Sequence, residues 1–237
     1  MKKKVTQFNY LTQTERIRLA RKSYSILKRN HSIIREHSCA KVMNSLFLVS
    51  PKVFRINPSS IFIANNLKIN HEEKVLDLGT GIGFLAILAA KKASKVIATD
   101  INPHAIVIAK KNAELHHVSS KIEFRLGDLF EPLDNGEIFD VIIWTPPWLE
   151  MEPKSILEKA WASANISLMI ERFFQGVNFH LKKEGRIEMI FSNLGPLKIL
   201  LNHIRLNNFK ILTVSKMRTR IEKEEIVFFR LSKESGK

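Results

Sequence analysis

The sequence predicts an α/β fold built on a seven-stranded, mostly parallel sheet with a final antiparallel strand, preceded by a small helical amino-terminal segment. Two observations support this prediction. From Ile61 onward, short apolar runs alternate with amphipathic stretches, the pattern of parallel strands joined by crossover helices. A glycine-rich turn also follows the first apolar run directly, as in nucleotide-binding folds of this class. A chain of 237 residues is long enough to build one such domain with a full core.

Seven apolar runs have the length and composition of buried strands. They are KVLDLG (74–79), KVIATD (95–100), KIEFRL (121–126), FDVIIW (139–144), RIEMIF (186–191), FKILTV (209–214) and EIVFFRL (225–231). Helical stretches are expected near 84–92, 104–116, 155–182 and 195–206. Trp161 and the apolar residues after it would form the core face of the long third helix. The last two runs have no helix between them, so we expect them to pair as an antiparallel hairpin.

The first fifty residues form a separate, strongly basic segment with helical spacing of apolar positions up to Phe47. The stretch SPKVFRINPSS (50–60) then breaks this pattern and is interpreted as a linker or hinge. We therefore divide the chain into a basic helical segment, 1–50, and a larger domain, 51–237. Residues 1–50 contain eleven Lys and Arg against two Glu, which is +9 of the total net charge of +15. This asymmetry suggests a polyanionic partner, nucleic acid above all, although a solvated lysine-rich surface would have the same composition.

The remaining composition narrows the class of protein. Cys39 is the only cysteine, so no internal disulfide forms and a reducing compartment is expected. The basic start is not followed by the apolar region of a secretory signal, and no apolar run approaches the roughly 20 residues that cross a bilayer. We expect a cytoplasmic protein without membrane attachment. The scattered histidines and Cys39 lack the spacing of metal ligands, and no metal site is predicted.

Polar or conformationally special residues end four consecutive strands: Asp77, Asp100, Asp128 and Thr145. Ligands of open α/β sheets bind outside the carboxyl ends of the strands, so these residues should converge on one rim. A carboxylate at Asp100, 23 residues after Asp77, suits two ribose hydroxyls. Asp128 suits the exocyclic amine of adenine. Between the first two strands, glycines allow a tight turn that approaches a ligand closely, and they are Gly79, Gly81 and Gly83.

These motifs carry a resemblance to a known family. Through VLDLGTGIG, VIATDINPHAIVIAKKNA, RLGDLFEPL and FDVIIWTPPW, residues 52–231 resemble a class I S-adenosylmethionine-dependent methyltransferase with a Rossmann-like sheet. Within that class they are similar to the small methyltransferase domain group, which includes release-factor glutamine methyltransferases and many RNA methyltransferases. The resemblance implies S-adenosylmethionine as cofactor. It assigns Asp77, Gly79, Thr80, Gly81 and Gly83 to the methionine part, Asp100 to the ribose, and Ile101, Asp128 and Leu129 to the adenine.

The fourth strand ends in Thr145-Pro146-Pro147-Trp148, where families of this type have Asn or Asp, two prolines and an aromatic residue. A side-chain oxygen and the first proline carbonyl would accept hydrogen bonds from the N–H groups of a planar amine or amide. The prolines would hold that carbonyl toward the site, and the aromatic ring would stack on the substrate. Thr145 is a departure, since a hydroxyl has less reach than Asn and is also a donor.

Four hypotheses about function follow from these features. The first is methylation of a base nitrogen in ribosomal or transfer RNA, with the basic residues of 1–50 binding phosphates. The alternative is methylation of a glutamine side-chain amide in a protein, as in the release-factor enzymes, which also carry an amino-terminal helical domain. A small-molecule methyltransferase comes third. The fourth is a non-catalytic S-adenosylmethionine-binding or RNA-binding module, in which Thr145 marks lost chemistry.

Overall fold

The computed structural model describes residues 8–35 and 38–234. The helices are α1 (Gln13–His31), α2 (Pro58–Asn66), α3 (Phe84–Ala90), α4 (Pro103–Leu115), α5 (Ile166–His180) and α6 (Leu197–Leu206). The strands are β1 (Ser38–Val42), β2 (Ser45–Val49), β3 (Lys74–Leu78), β4 (Lys95–Asp100), β5 (Ile122–Leu126), β6 (Phe139–Trp144), β7 (Leu149–Glu150), β8 (Ala162–Ser163), β9 (Leu181–Ser192), β10 (Phe209–Arg218) and β11 (Glu225–Lys233). No helix of this described part is both long enough and apolar enough to span a bilayer.

The central sheet contains seven strands in the order β10-β11-β9-β6-β3-β4-β5. Strands β9, β6, β3, β4 and β5 pair in parallel, whereas β11 is antiparallel to both β9 and β10. All seven predicted strands are therefore confirmed, together with the hairpin of the last two and the antiparallel final strand. The chain runs outward from β3 to β5 and then returns to the other side of β3 as β6. This reversal creates a switch point between β3 and β6.

Alternating side chains of the strands supply two hydrophobic layers, one on each face of the sheet. On one face, Val75 and Val141 pack with buried residues of α2, α3 and α4. On the other, Leu76 and Ile142 pack with buried residues of α5 and α6. Because both faces are covered, the central strands β3, β4 and β6 are mostly apolar and buried, which explains why the sequence shows continuous runs there instead of strict alternation.

Helix α1 is capped locally and docks against the segment that follows β6. Thr12 and Glu15 form a reciprocal capping box at its start. Leu19 and Ala20 are buried in a third cluster, which also contains Leu149, Trp161, Ala162, Leu194 and Ile221. The side chain of Arg16 pairs with that of Glu150 at 2.8 Å. The helical prediction for the amino-terminal segment is thus confirmed over Gln13–His31.

The helical prediction is wrong beyond α1, where β1 and β2 form an antiparallel hairpin. Val42 pairs with Ser45, which leaves Met43 and Asn44 as a two-residue turn, and both have positive φ angles (49° and 61°). Turns with two left-handed residues match the twist of a hairpin, and Asn tolerates that conformation. The apolar residues at the end of this segment have a spacing compatible with either a helix or a pair of strands. The conformation of the turn therefore decides that a hairpin forms.

Two further differences concern helix starts. The helix expected over 155–182 begins only at Ile166, because the Asn165 side chain accepts a hydrogen bond from the Leu168 N–H and caps it there. Trp161 therefore lies outside the helix, beside the short parallel pair of β7 and β8. In the stretch interpreted as a linker, Asn57 caps α2 and Pro58 occupies its first turn. This Asn-Pro signal was present in the sequence and predicts a helix start.

The docking of α1 can be tested by shortening one buried side chain. Leu19 is 1% exposed, so Leu19→Ala should lower the free energy of unfolding by about 2–4 kcal/mol through lost apolar burial and a residual cavity. The matched control is Ile17→Ala on the same helix, where the side chain is 47% exposed and the loss should stay below about 0.5 kcal/mol. Urea denaturation of both variants checks this. Equal losses would show that α1 does not depend on its buried face.

Candidate functional site

The turn after β3 leaves room for a ligand beside its backbone. Gly79, Gly81 and Gly83 all have positive φ angles (75°, 57° and 86°), which L-residues adopt at a cost. A Cβ added to Gly79 or Gly81 would meet no described atom within 4 Å, whereas one on Gly83 would lie 3.1 Å from the Cβ of Ala109. The first two glycines therefore border open space, and the third permits close packing of α3 on α4.

Asp77 is a buried carboxyl group beneath this turn. Its Oδ2 atom and the hydroxyl of Thr80 are both buried and have no hydrogen-bond partner among the described residues. Burial is the main reason that the pKa of Asp77 is raised to about 7, and the nearby Asp100 carboxylate contributes to this rise. Buried polar atoms without partners are rare in native proteins, and they commonly mark a missing ligand or ion. A ligand cation would fit here, because it would stabilise the ionised form of Asp77.

Asp100 connects the tip of β4 to the glycine turn. Its Oδ2 accepts a hydrogen bond from the Gly81 N–H and its Oδ1 accepts one from the Asn102 N–H, both at 2.8 Å. Each carboxylate oxygen can accept a second hydrogen bond, so the group remains able to bind a diol. Burial raises its pKa. The next residue, Ile101, is apolar yet 37% exposed, and it presents an apolar surface at the same rim.

Asp128 is held by a residue that sequence reasoning missed. Arg172 on α5 pairs with Asp128 Oδ2 through Nη1 at 2.8 Å, and with Glu131 Oε1 through Nη2 at 3.0 Å. Asp128 Oδ1 has no hydrogen-bond partner in the described part of the chain. Leu129 follows with a positive φ of 47°. The ion pair therefore orients Asp128 while leaving one oxygen available, and no one-dimensional signal links residues 44 positions apart.

The turn after β6 lies beside the glycine turn because of strand register. Leu78 of β3 pairs with Trp144 of β6, so Gly79 and Thr145 leave the sheet as neighbours. Thr145 is half-buried, and its hydroxyl makes no hydrogen bond to any described residue. Trp148 is half-buried and contacts all three hydrophobic clusters. A Cβ on Gly195 would come within 2.8 Å of the Trp148 carbonyl oxygen, so this glycine lets the turn pack closely.

Every predicted site residue except Gly83 lines one cavity of about 390 Å³. The size is that of a small-molecule site. Asp77, Gly79, Thr80, Gly81, Asp100, Ile101, Asp128, Leu129, Thr145, Pro146, Pro147 and Trp148 all contribute to its wall. The sequence did not identify the other lining residues, which include Leu27, Phe54, Lys159, Trp161 and Arg172. Within residues 8–35 and 38–234, no group of three or more His, Cys, Asp and Glu side chains could hold a metal ion.

Comparisons with known proteins agree with this geometry. The profile of the methyltransferase small domain family matches residues 46–216. A relative from Methanocaldococcus jannaschii, named for protein N5-glutamine methylation, is 32% identical over 186 residues, which are 75% of this chain and 91% of that protein. A release factor glutamine methyltransferase from Aquifex aeolicus is 30% identical over 172 residues, which are 66% of this chain and 60% of that protein. The chain thus spans less than two thirds of that second relative.

Solved structures show the same fold at lower identity. The tRNA m1G37 methyltransferase of Methanocaldococcus jannaschii has a TM-score of 0.65 at 20% identity, with 86% of this chain and 59% of that chain covered. The ribosomal protein L11 methylase of Lactobacillus delbrueckii has a TM-score of 0.55 at 22% identity, with coverages of 74% and 76%. These likenesses concern the fold alone.

The residues present fit S-adenosylmethionine, which carries an amino acid group, a sulfonium, a ribose and an adenine. The orphaned Asp77 oxygen suits a cation, and the open space beside Gly79 and Gly81 admits a ligand next to the backbone. Asp100 can accept from hydroxyls, and the free oxygen of Asp128 can accept from an amine. The exposed Ile101 provides an apolar surface for a flat ring.

Burial of Asp77 should make stability depend on pH. Its folded-state pKa of about 7 lies above the ordinary value of 3.8, so its contribution to stability is complete below pH 3.8 and is lost as pH rises through 7. Asp77→Asn cannot ionise and should abolish this loss. Between pH 5 and pH 8, the free energy of unfolding of the variant should rise relative to wild type by roughly 3 kcal/mol. Urea denaturation at both pH values measures it, and a pH-independent difference would contradict the assignment.

The orienting role of Arg172 can be tested by calorimetric binding of S-adenosylhomocysteine. Arg172→Met should weaken binding about twofold to fivefold, since this partly exposed ion pair contributes at most about 1 kcal/mol. Arg172→Lys keeps one charge and should recover most of the affinity. The matched control is Arg205→Met on α6, an exposed arginine outside the cavity wall. Unchanged binding in Arg172→Met would show that Asp128 needs no partner to be oriented.

Proposed function

The chain belongs to the methyltransferase small domain family and is an S-adenosylmethionine-dependent methyltransferase, and we propose that it methylates the side-chain amide nitrogen of a glutamine in a protein. The observation that carries this proposal is the unpaired Thr145 hydroxyl, which lies on the wall of the cavity next to the glycine turn. In this proposal the hydroxyl would accept a hydrogen bond from the N–H of the substrate amide. The names of the relatives point to the same acceptor group.

We assign the following roles to the residues of this cavity. The methionine part of the cofactor would contact Asp77, Gly79, Thr80 and Gly81, while Gly83 acts by packing. Asp100 would bind the ribose, and Ile101, Asp128 and Leu129 would surround the adenine. Thr145, Pro146, Pro147 and Trp148 would hold the acceptor. In this scheme residues 51–237 form the methyltransferase domain and residues 1–50 belong to substrate recognition.

The chain contributes positioning to the reaction. When bound, S-adenosylmethionine supplies an electrophilic methyl group. An amide nitrogen is a weak nucleophile because its lone pair is delocalised, so its orientation decides the rate. Thr145 would accept one N–H, and Pro146 is buried, which holds the backbone of the turn in one conformation. Trp148 would place its ring against the amide plane, and its contacts with three clusters fix that ring in position.

A second candidate, methylation of a base nitrogen in RNA, is favoured by one observation. Several basic residues of the amino-terminal segment are exposed and have no ion-pair partner among the described residues. They are Arg18, Arg21, Lys22, Arg29, Arg35 and Lys41. An RNA substrate would use such residues to bind phosphates. The larger face of Trp148 would then stack on the target base.

Transfer of tritium from methyl-labelled S-adenosylmethionine separates the two candidates. The enzyme would be offered total protein and total RNA separately, both from cells lacking this gene. Label in a protein band, located on a glutamine by mass spectrometry, would establish the first proposal. Label in RNA alone would overturn it in favour of base methylation. Absence of label in both fractions, with the cofactor bound, would point to a small molecule or a non-catalytic role.

The same assay tests the role of Thr145. Thr145→Ala should reduce transfer roughly tenfold, the factor for one lost hydrogen bond of about 1.4 kcal/mol, without changing cofactor affinity. Thr145→Asn should restore or exceed wild-type transfer, since an amide oxygen is an acceptor of longer reach. Thr213→Ala, at a half-buried position on β10, is the matched control and should leave transfer unchanged. Full activity of Thr145→Ala would remove this hydroxyl from the mechanism.

A further inference from the structure

A second concave surface lies between α1 and the turn that joins β10 to β11. This surface is lined by Asn9, Lys22 and residues 218–225 and has a volume of about 460 Å³. We call it the basic groove. Its cationic members are Lys22, Arg218, Arg220 and Lys223. Arg18 is close enough to Lys223 for the two positive charges to interact. Nearly two hundred residues separate Lys22 from Arg218, so the sequence does not show that these charges meet.

The charges of the basic groove are only partly neutralised. Lys223 pairs with Glu15 at 2.7 Å, and Glu225 lies 3.8 Å from Arg218 and 3.6 Å from Lys216. Glu222 is exposed. The fourth acid, Glu224, is buried and accepts hydrogen bonds from Ser192 and Thr219, and burial raises its pKa. In contrast, Arg18, Lys22 and Arg220 are exposed and have no ion-pair partner among the described residues. The surface therefore presents unpaired positive charge to solvent.

The groove is built as a rigid part of the fold. Ile221, at the centre of its turn, is buried in the third cluster together with Leu19 of α1 and Leu149. The carbonyl oxygen of Lys223 accepts hydrogen bonds from the side-chain amides of Asn9 (3.3 Å) and Asn193 (2.9 Å). These contacts fix the turn against α1, so the cationic groups have a defined arrangement before any partner binds.

An exposed aromatic residue adjoins the lining residue Asn9 in the chain and indicates the kind of polyanion. Tyr10 follows Asn9 directly and is 48% exposed. Its ring has the Lys198 ammonium 5.2 Å from the centroid and the Phe8 ring at 6.3 Å. Unpaired Lys and Arg side chains next to an exposed aromatic ring are the combination that binds single-stranded nucleic acid, because phosphates pair with the cations and a base stacks on the ring. An acidic peptide would supply carboxylates for the cations but no base to stack on the ring.

We propose that the basic groove binds the phosphodiester backbone of single-stranded RNA, with Tyr10 stacking on one base. The net charge of +15 would support this binding at long range. The proposal goes beyond the methylation reaction and does not depend on whether protein or RNA receives the methyl group. The groove is joined to the cavity wall through the third cluster, which contains both Ile221 and Trp161. A bound strand would therefore lie on a surface that one hydrophobic cluster connects to the cavity wall.

The test measures fluorescence anisotropy of a labelled 15-mer oligouridylate with the full-length protein between 50 and 300 mM KCl. The double variant Lys22→Glu/Arg220→Glu should weaken binding at least tenfold. It should also reduce the steepness of log K against log salt by about 1.4, because each lost phosphate contact accounts for about 0.7 on a single strand. Tyr10→Ala should weaken binding about fivefold or more, with the salt slope unchanged.

The matched control is Lys91→Glu/Lys92→Glu, which changes the net charge equally. Both lysines are exposed in the loop before β4, at the amino-terminal edge of the strands and away from the groove. The affinity of this control variant for the oligouridylate should fall by less than about threefold. Equal losses of RNA affinity in both double variants would overturn the proposal in favour of a general charge effect. Displacement of the RNA by polyglutamate of the same total charge would also overturn it. Undiminished binding of S-adenosylhomocysteine shows that the variants are folded. Failure here leaves the methylation proposal untouched, since the two tests use different readouts.

Discussion

The parallel pairing of β3 with β6 is the constraint on which the rest of the site depends. The chain first moves outward from β3 to β5 and then returns to its other side, so the turns that follow β3 and β6 leave the sheet next to each other. Leu78 opposite Trp144 places the glycine turn beside Thr145. A one-residue slip would turn every inward side chain of β6 to the opposite face and would remove Thr145 from the rim. The buried layers on both faces of the sheet prevent such a slip.

Burial raises the pKa values of two carboxyl groups at this rim. Asp77 and Asp100 lie close together in a low-dielectric environment, and both have raised pKa values for that reason. Two backbone N–H groups hold Asp100, whereas Asp77 retains an oxygen without a partner. The difference suits two tasks: a fixed acceptor for neutral hydroxyls and a carboxyl group that becomes fully charged next to a cation. The cofactor would thus stabilise a site that is costly when empty of positive charge.

The amino-terminal segment is part of this arrangement through the third hydrophobic cluster. Helix α1 packs on the chain directly after the Pro-Pro-Trp turn, and Leu27 reaches the wall of the cavity. Trp148 touches all three clusters, so its ring is positioned by the whole domain rather than by its turn alone. The same cluster anchors the turn between β10 and β11 and thereby forms the basic groove. One small packed core therefore supports both part of the cavity wall and the basic groove.

The sequence by itself determined the seven strands and, to within one residue, the carboxyl ends of the first four (β3 to β6), because apolar runs and glycine turns are local signals and parallel strands share one carboxyl edge. Twelve of the predicted site residues line the cavity for this reason. The tertiary structure alone decided which distant side chains join them. Arg172 of α5 meets Asp128, and Trp161 borders the cavity from outside any helix. Lys22 and Arg220 line one groove because Ile221 packs against α1. The hairpin of β1 and β2 belongs with these, since left-handed Met43 and Asn44 outweigh a pattern that also suits a helix. Contacts of this kind depend on how elements pack, and residue spacing along the chain does not encode them.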